Sequence, residues 1–311
     1  MHQDPTRGRS KVSQCARTKI LRGYHQTKRQ NPDVRLSQES LVDKILTSFD
    51  ATQATPAKSP LSGKLQPTGP EDEEQHDAKC MVNAQNYRSL VGSSMFLCTS
   101  TRYDLSFAVK ELSKYNSNPG PAHFKAATRL IRYLAGTRNF SLKIDPNSAL
   151  NLHAYADADW AGGADRRSTS GHLIFMGDTP IYWSSRTQHS VSLSSTEAEY
   201  YSISELSKEV VYYRNFLTEI ARMGGKVPEM NKPTVIYEDN NRCIDLIHNE
   251  NDTKRTKHID VRYHHIRQLC AEGVISVVHI GTLDQLADLL TKSDLSLERL
   301  RTLVDRKNRG K

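Results

Sequence analysis

Four acidic residues in the second half of the chain, Asp157, Glu199, Asp239 and Asp288, have the type and setting of metal ligands. Each lies in or directly after a segment whose pattern predicts a strand or a helix. Carboxylate oxygens are the ligands that Mg²⁺ prefers, whereas Cys and His suit other metals. Several carboxylates that converge on one point can hold two Mg²⁺ ions about 4 Å apart, an arrangement that hydrolyses phosphodiesters. The residues therefore predict a two-metal centre.

Two of these aspartates stand at the ends of predicted strands. Asp157 lies in the string YADADWAG and closes a predicted strand over 151–157, while Asp239 follows the strand predicted at 234–238. A carboxylate at the end of a strand can leave the sheet toward a cleft. The alternative is structural, because Asp157 could form a turn and Asp239 could cap the helix that follows.

The string LSSTEAEY contains two acids that the physical context separates. Ser194 and Glu197 have the spacing of a capping box, in which the glutamate reaches back to the backbone at the start of a helix. Glu199 begins the helical stripe 199, 203, 206, 210, 213 and 217, whose other members are Ile, Leu, Val, Tyr and Leu. A carboxylate on that inward face is costly unless it is paired or binds a metal. We predict that Glu199 is the functional acid and Glu197 the cap.

The fourth acid is one of two candidates in the string TLDQLADLLTK. A predicted helix over 283–291 places Asp284 and Asp288 on one face, opposite Leu286 and Leu290. Periodicity does not choose between the two aspartates. A pair of solvated surface acids is the structural alternative.

The second half of the chain predicts an α/β fold, with a mixed five-stranded sheet and flanking helices. Three short strands in hairpin order precede alternating helices and strands, which is typical of one sheet with helices packed on it. We predict strands at 151–157, 171–176, 181–185, 234–238 and 274–280, and helices at 196–220, 241–249, 258–271 and 283–291.

The first half predicts a small helical domain in which we find no candidate site. Apolar residues recur at helical spacing from Leu36 to Phe49, and Ser37 is placed to cap that helix. Two further helices are predicted near 85–115 and 121–135, with the breaker Asn-Pro-Gly-Pro between them.

The formal net charge of +8 is concentrated at the two ends of the chain. Residues 1–36 hold nine Lys/Arg and two Asp/Glu, the tail 293–311 holds six against three, and the middle carries a net −2. Basic ends raise the affinity for phosphate backbones, although solvated ends of this kind are also common. We predict a flexible basic arm at 1–35, a basic tail at 293–311, and a linker at 50–80, where four prolines accompany an acidic run.

Composition excludes several classes of protein. Hydrophobic residues make up 37% and charged residues 25%, as in ordinary soluble domains. We find no apolar run of the roughly 20 residues that span a bilayer, and no signal-peptide core. Five cysteines without a Cys-x-x-Cys pair argue against a disulfide framework and a structural zinc site. We therefore expect an intracellular protein without a membrane partner.

Basic residues in predicted loops are candidate contacts to phosphate groups, with solvated loops as the alternative. These candidates are Arg166, Arg167, Lys254, Arg255 and Lys257. We expect Trp160 and Trp183 to belong to the core rather than to stack on bases.

Six strings in the second half resemble, in this order, the ribonuclease H domain of copia-type retrotransposon polyproteins. They are YADADWAG, RRSTSGHLIF, YWSSRTQHSVSLSSTEAEY, EDNNRCIDL, RTKHIDVRYHHIR and QLADLLTK. In the first half, LSQESLVDKIL, NYRSLVGSSMFLCTSTRYDLSFAV and KAATRLIRYLAGT are similar to the end of the reverse transcriptase in the same polyproteins. The resemblance covers residues 36–292, and it is specific because many separate strings agree in order.

The resemblance implies a ribonuclease-H-like fold at 151–292. At 36–150 it implies a remnant of the thumb or connection region of a reverse transcriptase. The implied activity is that of a metal-dependent endonuclease, which cuts the RNA strand of RNA–DNA hybrids with two Mg²⁺ ions, or with Mn²⁺. The implied partners are the hybrid and the rest of a reverse transcriptase. The implied location is the cytoplasm, including virus-like particles, with access to the nucleus.

The resemblance also assigns roles to the candidate acids. It implies catalytic and metal-binding roles for Asp157, Glu199 and Asp239, and it favours Asp288 over Asp284 as the fourth acid. These assignments are carried by the matching strings and not by periodicity.

The chain departs from the family at several places. Tyr103 stands where the family usually has proline, and residues 1–35 match nothing in it. The chain has no Asp-Asp pair, which the family's polymerase carries in a Tyr-x-Asp-Asp hairpin, so we expect no polymerisation by this chain alone. The main alternative is a catalytically inactive, nucleic-acid-binding remnant of a truncated element. Others are a connection module of a larger polymerase and an integrase on the same superfold, although integrases carry their glutamate last and here it comes second of four.

Overall fold

A computed structural model describes residues 25–26, 34–67, 78–145, 148–162, 165–248, 260–293 and 295. The strands are β1 (His25–Gln26), β2 (Val34–Ser37), β3 (Ser141–Ile144), β4 (Leu152–Asp159), β5 (Thr169–Met176), β6 (Thr179–Thr187), β7 (Thr234–Glu238) and β8 (Ile275–His279). The α-helices are α1 (Glu39–Ser48), α2 (Ala78–Ser100), α3 (Ser106–Ser113), α4 (Pro121–Gly136), α5 (Ser195–Arg222), α6 (Asn241–His248) and α7 (Asp260–Ala271). Three short 3-10 helices cover Tyr103–Leu105, Thr282–Asp284 and Leu286–Leu290.

The second half forms a five-stranded mixed sheet with the strand order β6-β5-β4-β7-β8. The pairs β6–β5 and β5–β4 are antiparallel, whereas β4–β7 and β7–β8 are parallel. The predicted mixed sheet with flanking helices, the plan of a ribonuclease-H-like fold, is confirmed. Because β4 and β7 are adjacent and parallel, their carboxyl ends lie at the same edge of the sheet.

Alternate residues of the strands point to opposite sides of the sheet, and both sides are covered by other parts of the chain. On one face it packs against α5, α6 and α7 in what we name the α5-side core. That core consists of Leu152, Ala154, Ala156, Ile174, Tyr200, Ile203, Leu206, Val210, Leu217, Ile236, Cys243, Ile247, Ile266, Leu269, Ile275 and Val277. Residues of β4, β5 and β7 therefore share this core with the inward stripe of α5.

The other face of the sheet packs against the first half of the chain. Tyr155, Leu173 and Phe175 join apolar residues of α1 to α4 and of Leu286–Leu290 in one buried cluster, which we name the front-side core. A hydrogen bond crosses the same boundary, because the indole Nε1 of Trp183 donates to the carbonyl oxygen of Cys98 at 2.6 Å. The helical part and the sheet thus share one hydrophobic core.

The first half contains a small sheet as well as helices, and the helix predicted near 85–115 is divided into α2 and α3 by the 3-10 helix Tyr103–Leu105. β1, β2 and β3 form an antiparallel sheet in that order. The predicted boundary of the basic arm at residue 35 falls inside β2, and the rest of 1–33 apart from β1 lies outside the described residues. The predicted cap at Ser37 is wrong, because Ser37 ends β2 and Gln38 precedes α1 without a side-chain capping bond.

Part of the predicted linker packs against α4. Residues 51–67 form neither helix nor strand, yet Ala57 and Leu61 are buried and join the front-side core. The guanidinium of Arg129 donates to the Ser59 hydroxyl at 2.9 Å and holds this segment on α4. Residues 68–77 lie outside the described residues, and α2 begins at Ala78.

The end of the described chain differs from the prediction. The prediction of a single helix over 283–291 is wrong. Gln285 has an extended backbone and divides the segment into two 3-10 helices. Of the predicted basic tail, Ser293 and Leu295 are described and the other residues are not. Among the described helices, none combines the length and the apolar character needed to cross a membrane.

The shared core predicts that both halves unfold together. Leu130 in α4 is fully buried, so Leu130→Ala should lower the free energy of unfolding by about 2–5 kcal/mol. Trp160 and Trp183 both lie in the sheet half, and Trp183 also bonds to α2, so their fluorescence in a urea titration reports on the sheet and on its boundary with the helices. We expect the tryptophan transition to shift with the helical circular dichroism signal. The exposed Lys125→Ala on the same helix is the control, and an unshifted tryptophan transition in Leu130→Ala would contradict a common core.

Candidate metal centre

Three acids meet at the edge of the sheet where β4 and β7 end. Asp157 lies near the end of β4, Asp239 directly follows β7, and Glu199 lies in the first turns of α5. Each offers one carboxylate oxygen, and the three oxygens lie within 4.8 Å of one another. Asp157 and Glu199 are buried, and Asp239 is partly exposed. The group therefore faces solvent on the Asp239 side.

The start of α5 sets the position of Glu199. Ser194 caps the helix, because its hydroxyl accepts a hydrogen bond from the backbone N–H of Glu197 at 3.1 Å. The carboxylate of Glu197 accepts the backbone N–H of Leu193 at 2.6 Å. The predicted cap at Ser194 is confirmed, and Glu197 reaches back to the start of the helix as predicted, but it accepts the N–H of Leu193 rather than that of Ser194, which a capping box requires. Glu199 then lies on the buried side of the helix in line with Ile203, as the apolar stripe predicts.

A glycine allows the segment after β8 to approach Asp157. Gly171 pairs with Asp157 across the β4–β5 ladder, and a Cβ at this position would lie 2.9 Å from the carbonyl oxygen of Ala287. The hydroxyl of Ser185 donates to the carbonyl oxygen of Leu290 at 2.6 Å and fixes the segment further. The hydroxyl of Thr291 consequently reaches the carboxylate of Asp157 and donates a hydrogen bond to it.

The two aspartates that periodicity could not separate have different surroundings. Asp284 is exposed, whereas Asp288 is 1% exposed. Asp288 forms an ion pair with the ammonium of Lys292 and is not part of the three-carboxylate group. The charge of Asp288 nevertheless acts on Asp157, whose pKa it raises. Asp288 is therefore the acid of this segment that lies at the centre, beside the three converging carboxylates.

Burial and the negative charges of neighbouring acids disfavour the charged forms of Asp157 and Glu199. Burial, and after it the charge of Asp288, raises the pKa of Asp157 to about 7. Burial, and after it the charge of Glu238, raises the pKa of Glu199 well above its ordinary range. Burial alone would lower the pKa of Lys292, but the charges of Asp157 and Asp288 raise it. The site therefore favours binding of positive charge.

The donor atoms fit a hard divalent cation. All three converging groups are carboxylates, the ligand type that Mg²⁺ and Mn²⁺ accept. Within the described part of the chain, Oε2 of the buried Glu199 has no hydrogen-bond partner. A buried carboxylate oxygen without a partner is costly, and a bound cation would remove that cost. The residues present therefore fit Mg²⁺ or Mn²⁺.

Sequence comparison finds relatives among transposon polyproteins. The retrovirus-related Pol polyprotein from transposon RE2 of Arabidopsis thaliana is 38% identical over 268 residues, which are 86% of this chain and 18% of the polyprotein. The corresponding polyprotein from transposon TNT 1-94 of Nicotiana tabacum is 36% identical over 258 residues, 83% of this chain and 19% of that protein. The chain belongs to the copia-type retrotransposon Pol polyprotein family. It spans less than a fifth of these two Pol polyproteins.

Structure comparison finds ribonucleases H. LC11-RNase H1, isolated from compost, is 16% identical with a TM-score of 0.34, covering 45% of this chain and 92% of that one. No protein-family model matches the chain.

The basic residues predicted to contact phosphate are only partly described in this Pol fragment. Arg166 and Arg167 are exposed in the loop after β4, the strand that carries Asp157. Arg167 pairs with Asp165 at 3.5 Å. The remaining candidates lie outside the described residues; they are Lys254, Arg255 and Lys257. All five therefore stay predictions.

Sequence reasoning missed several residues at the centre and misplaced one nearby. Thr291 bonds to Asp157 and Lys292 pairs with Asp288. Both residues follow the 3-10 helix Leu286–Leu290, which helical periodicity did not predict. Glu238 was not singled out, although strand alternation puts it on the buried face with Ile236. Trp160 was predicted to be in the core, but it is 48% exposed.

Replacing Glu199 and Glu197 separately tests which acid holds metal. We expect Glu199→Gln to keep or raise the melting temperature without metal, because a buried charge is removed, and to lose the stabilisation that Mg²⁺ gives. Glu197→Gln should keep that stabilisation and change stability by only about 0.5 kcal/mol, because Gln also serves a capping box. Melting curves with and without Mg²⁺ distinguish the two. The reverse pattern would mean that Glu197 is the metal ligand.

The raised pKa of Asp157 predicts a pH dependence of stability in the metal-free protein. Its folded pKa of about 7 lies above the ordinary 3.8, so its contribution is fully present below pH 3.8 and is lost as pH rises through 7. The free energy of unfolding of wild type minus that of Asp157→Asn should therefore fall between pH 4 and pH 7. Urea titrations in chelator measure it. A difference that is constant across this window would contradict the prediction.

Proposed function

We propose that this Pol fragment is a metal-dependent endonuclease that hydrolyses the RNA strand of RNA–DNA hybrids. The observation that carries the proposal is the convergence of Asp157, Glu199 and Asp239 within 4.8 Å, with a buried oxygen of Glu199 left without a partner among the described residues. The family membership supports it, because each of the three acids lies in a string that resembles the ribonuclease H domain of copia-type polyproteins.

Asp157, Glu199 and Asp239 would hold the metal, either Mg²⁺ or Mn²⁺. Two bound ions would supply an activated water on one side of the phosphodiester and charge stabilisation for the leaving 3′ oxygen on the other. The protein's own residues set up this chemistry. Thr291 fixes the carboxylate of Asp157, and Lys292 balances the charge of Asp288.

Substrate recognition would rely on the shape and backbone of the duplex. The exposed Arg166 and Arg167 lie in the loop that follows β4, the strand that carries Asp157, and they would contact phosphate groups of the duplex. Protein contacts to 2′-hydroxyls distinguish an RNA strand from a DNA strand. The partner proposed for this surface is therefore an RNA–DNA hybrid.

Cleavage of an end-labelled hybrid by the full chain tests the proposal. We expect RNA to be cut in the presence of Mg²⁺, cleavage to stop when chelator is added, and duplex DNA to stay intact. Asp239→Asn should reduce the single-turnover rate by at least about 100-fold, because a ligand carboxylate is lost. Asp245→Asn, an exposed acid on α6, is the matched control and should cleave like wild type.

Two results would contradict this proposal in different ways. Cleavage that persists in excess chelator would exclude a metal-dependent mechanism. Binding of the hybrid without any cleavage in Mg²⁺ or Mn²⁺ would instead favour the alternative of an inactive, nucleic-acid-binding remnant.

A further inference from the structure

Glu238 is a fully buried acid that the predicted catalytic set does not include. It is the last residue of β7, directly before Asp239, and it is 0% exposed. Its Oε1 accepts the backbone N–H of Asn240 at 3.0 Å. Its Oε2 is also buried and has no hydrogen-bond partner in the described ranges. One carboxylate oxygen is therefore fixed by the backbone while the other is free to act.

Glu238 lies on the side of the sheet that α5 covers, where Glu199 is buried. Strand alternation places Glu238 on the side of the sheet where Ile236 packs in the α5-side core, and Glu199 faces that side from α5. Oε2 of Glu199 is the second buried carboxylate oxygen without a partner at this place, within the part of the chain that the structure describes. Cys243 on α6 lies near both acids, because burial and, after it, the charges of Glu238 and Glu199 raise the pKa of its thiol.

Glu199 and Glu238 share a feature that separates them from the other described acids. Among the described residues, theirs are the only buried carboxylate oxygens without a hydrogen-bond partner. Buried polar groups normally have partners, and two unpartnered carboxylate oxygens in one core are unusual. A purely structural acid would be expected to satisfy both of its oxygens.

We propose that Glu238 is a positioning residue of the metal centre, whose free Oε2 accepts a hydrogen bond from a water bound to the metal held by Glu199. Mg²⁺ keeps several waters when proteins bind it, so an acceptor behind the ligand carboxylates has a defined role. Such outer groups orient the ligands and tune the affinity for the metal. This inference rests on the proposed function, because it requires that the three converging acids bind a divalent cation.

Isothermal titration of the full chain with Mg²⁺ alone, and with Mn²⁺ alone, tests the role of Glu238. We expect Glu238→Gln to weaken metal binding by about 10- to 100-fold, the usual effect of losing an outer-sphere partner. Its melting temperature without metal should hold or rise, because an unpartnered buried carboxylate is removed. Glu197→Gln is the matched control and should bind metal like wild type, and Asp239→Asn should bind it far more weakly.

The outcomes separate this inference from the proposed function. Wild-type metal affinity in Glu238→Gln, together with weak binding in Asp239→Asn, would overturn the role of Glu238 and leave the metal centre in place. Absence of Mg²⁺ and Mn²⁺ binding in the wild-type chain would overturn both. If Glu238→Gln does not fold, Glu238→Asp decides, because it keeps the charge but withdraws the oxygen. Wild-type affinity in that variant would overturn the inference, and weakened binding with an unchanged metal-free melting temperature would support it.

Discussion

Repulsion among buried carboxylates at one edge of the sheet is the constraint around which the second half is arranged. Asp157, Glu199 and Asp239 are held within 4.8 Å although burial and like charge disfavour the ionised forms of the two buried acids, Asp157 and Glu199. Such a group persists only when the surrounding structure fixes it. Here the parallel β4–β7 pair, the capped start of α5 and the segment that carries Thr291 each fix one side. A bound cation would remove this repulsion.

The positions of three acids of this site could be predicted, because Asp157, Glu199 and Asp239 each lie beside a local sequence pattern that indicates a strand or a helix. The capping box and the apolar stripe of α5 identify Glu199 as the buried acid from the sequence alone, and the structure confirms its burial. The strands β4 and β7 were predicted close to their observed bounds, so the strand-end positions of Asp157 and Asp239 followed. Their closeness did not follow from the residues, because it depends on β4 and β7 being neighbours in the sheet.

Predictions from the sequence were wrong where packing between distant parts of the chain overrides local periodicity. Asp284 and Asp288 fit one helix face, but the chain forms two 3-10 helices over β5, where Gly171 lets the backbone approach. Residues 51–67 resemble a linker in composition, yet Leu61 within them is buried, since few apolar residues suffice to hold an irregular segment on α4. The small sheet of β1, β2 and β3 joins residues over 100 positions apart, which no window-based pattern can detect.

The front-side core gives the first half a physical role although its residues offer no candidate site. The segment with Asp288 and Thr291 lies between that core and the sheet, because Leu286, Leu289 and Leu290 pack among helices of the first half. Helices α1 to α4 therefore hold in place the segment that contacts Asp157 from the side opposite α5. Repulsion among the carboxylates at the ends of β4 and β7 destabilises the fold locally. Apolar contacts made elsewhere, such as those of the front-side core, must offset that cost.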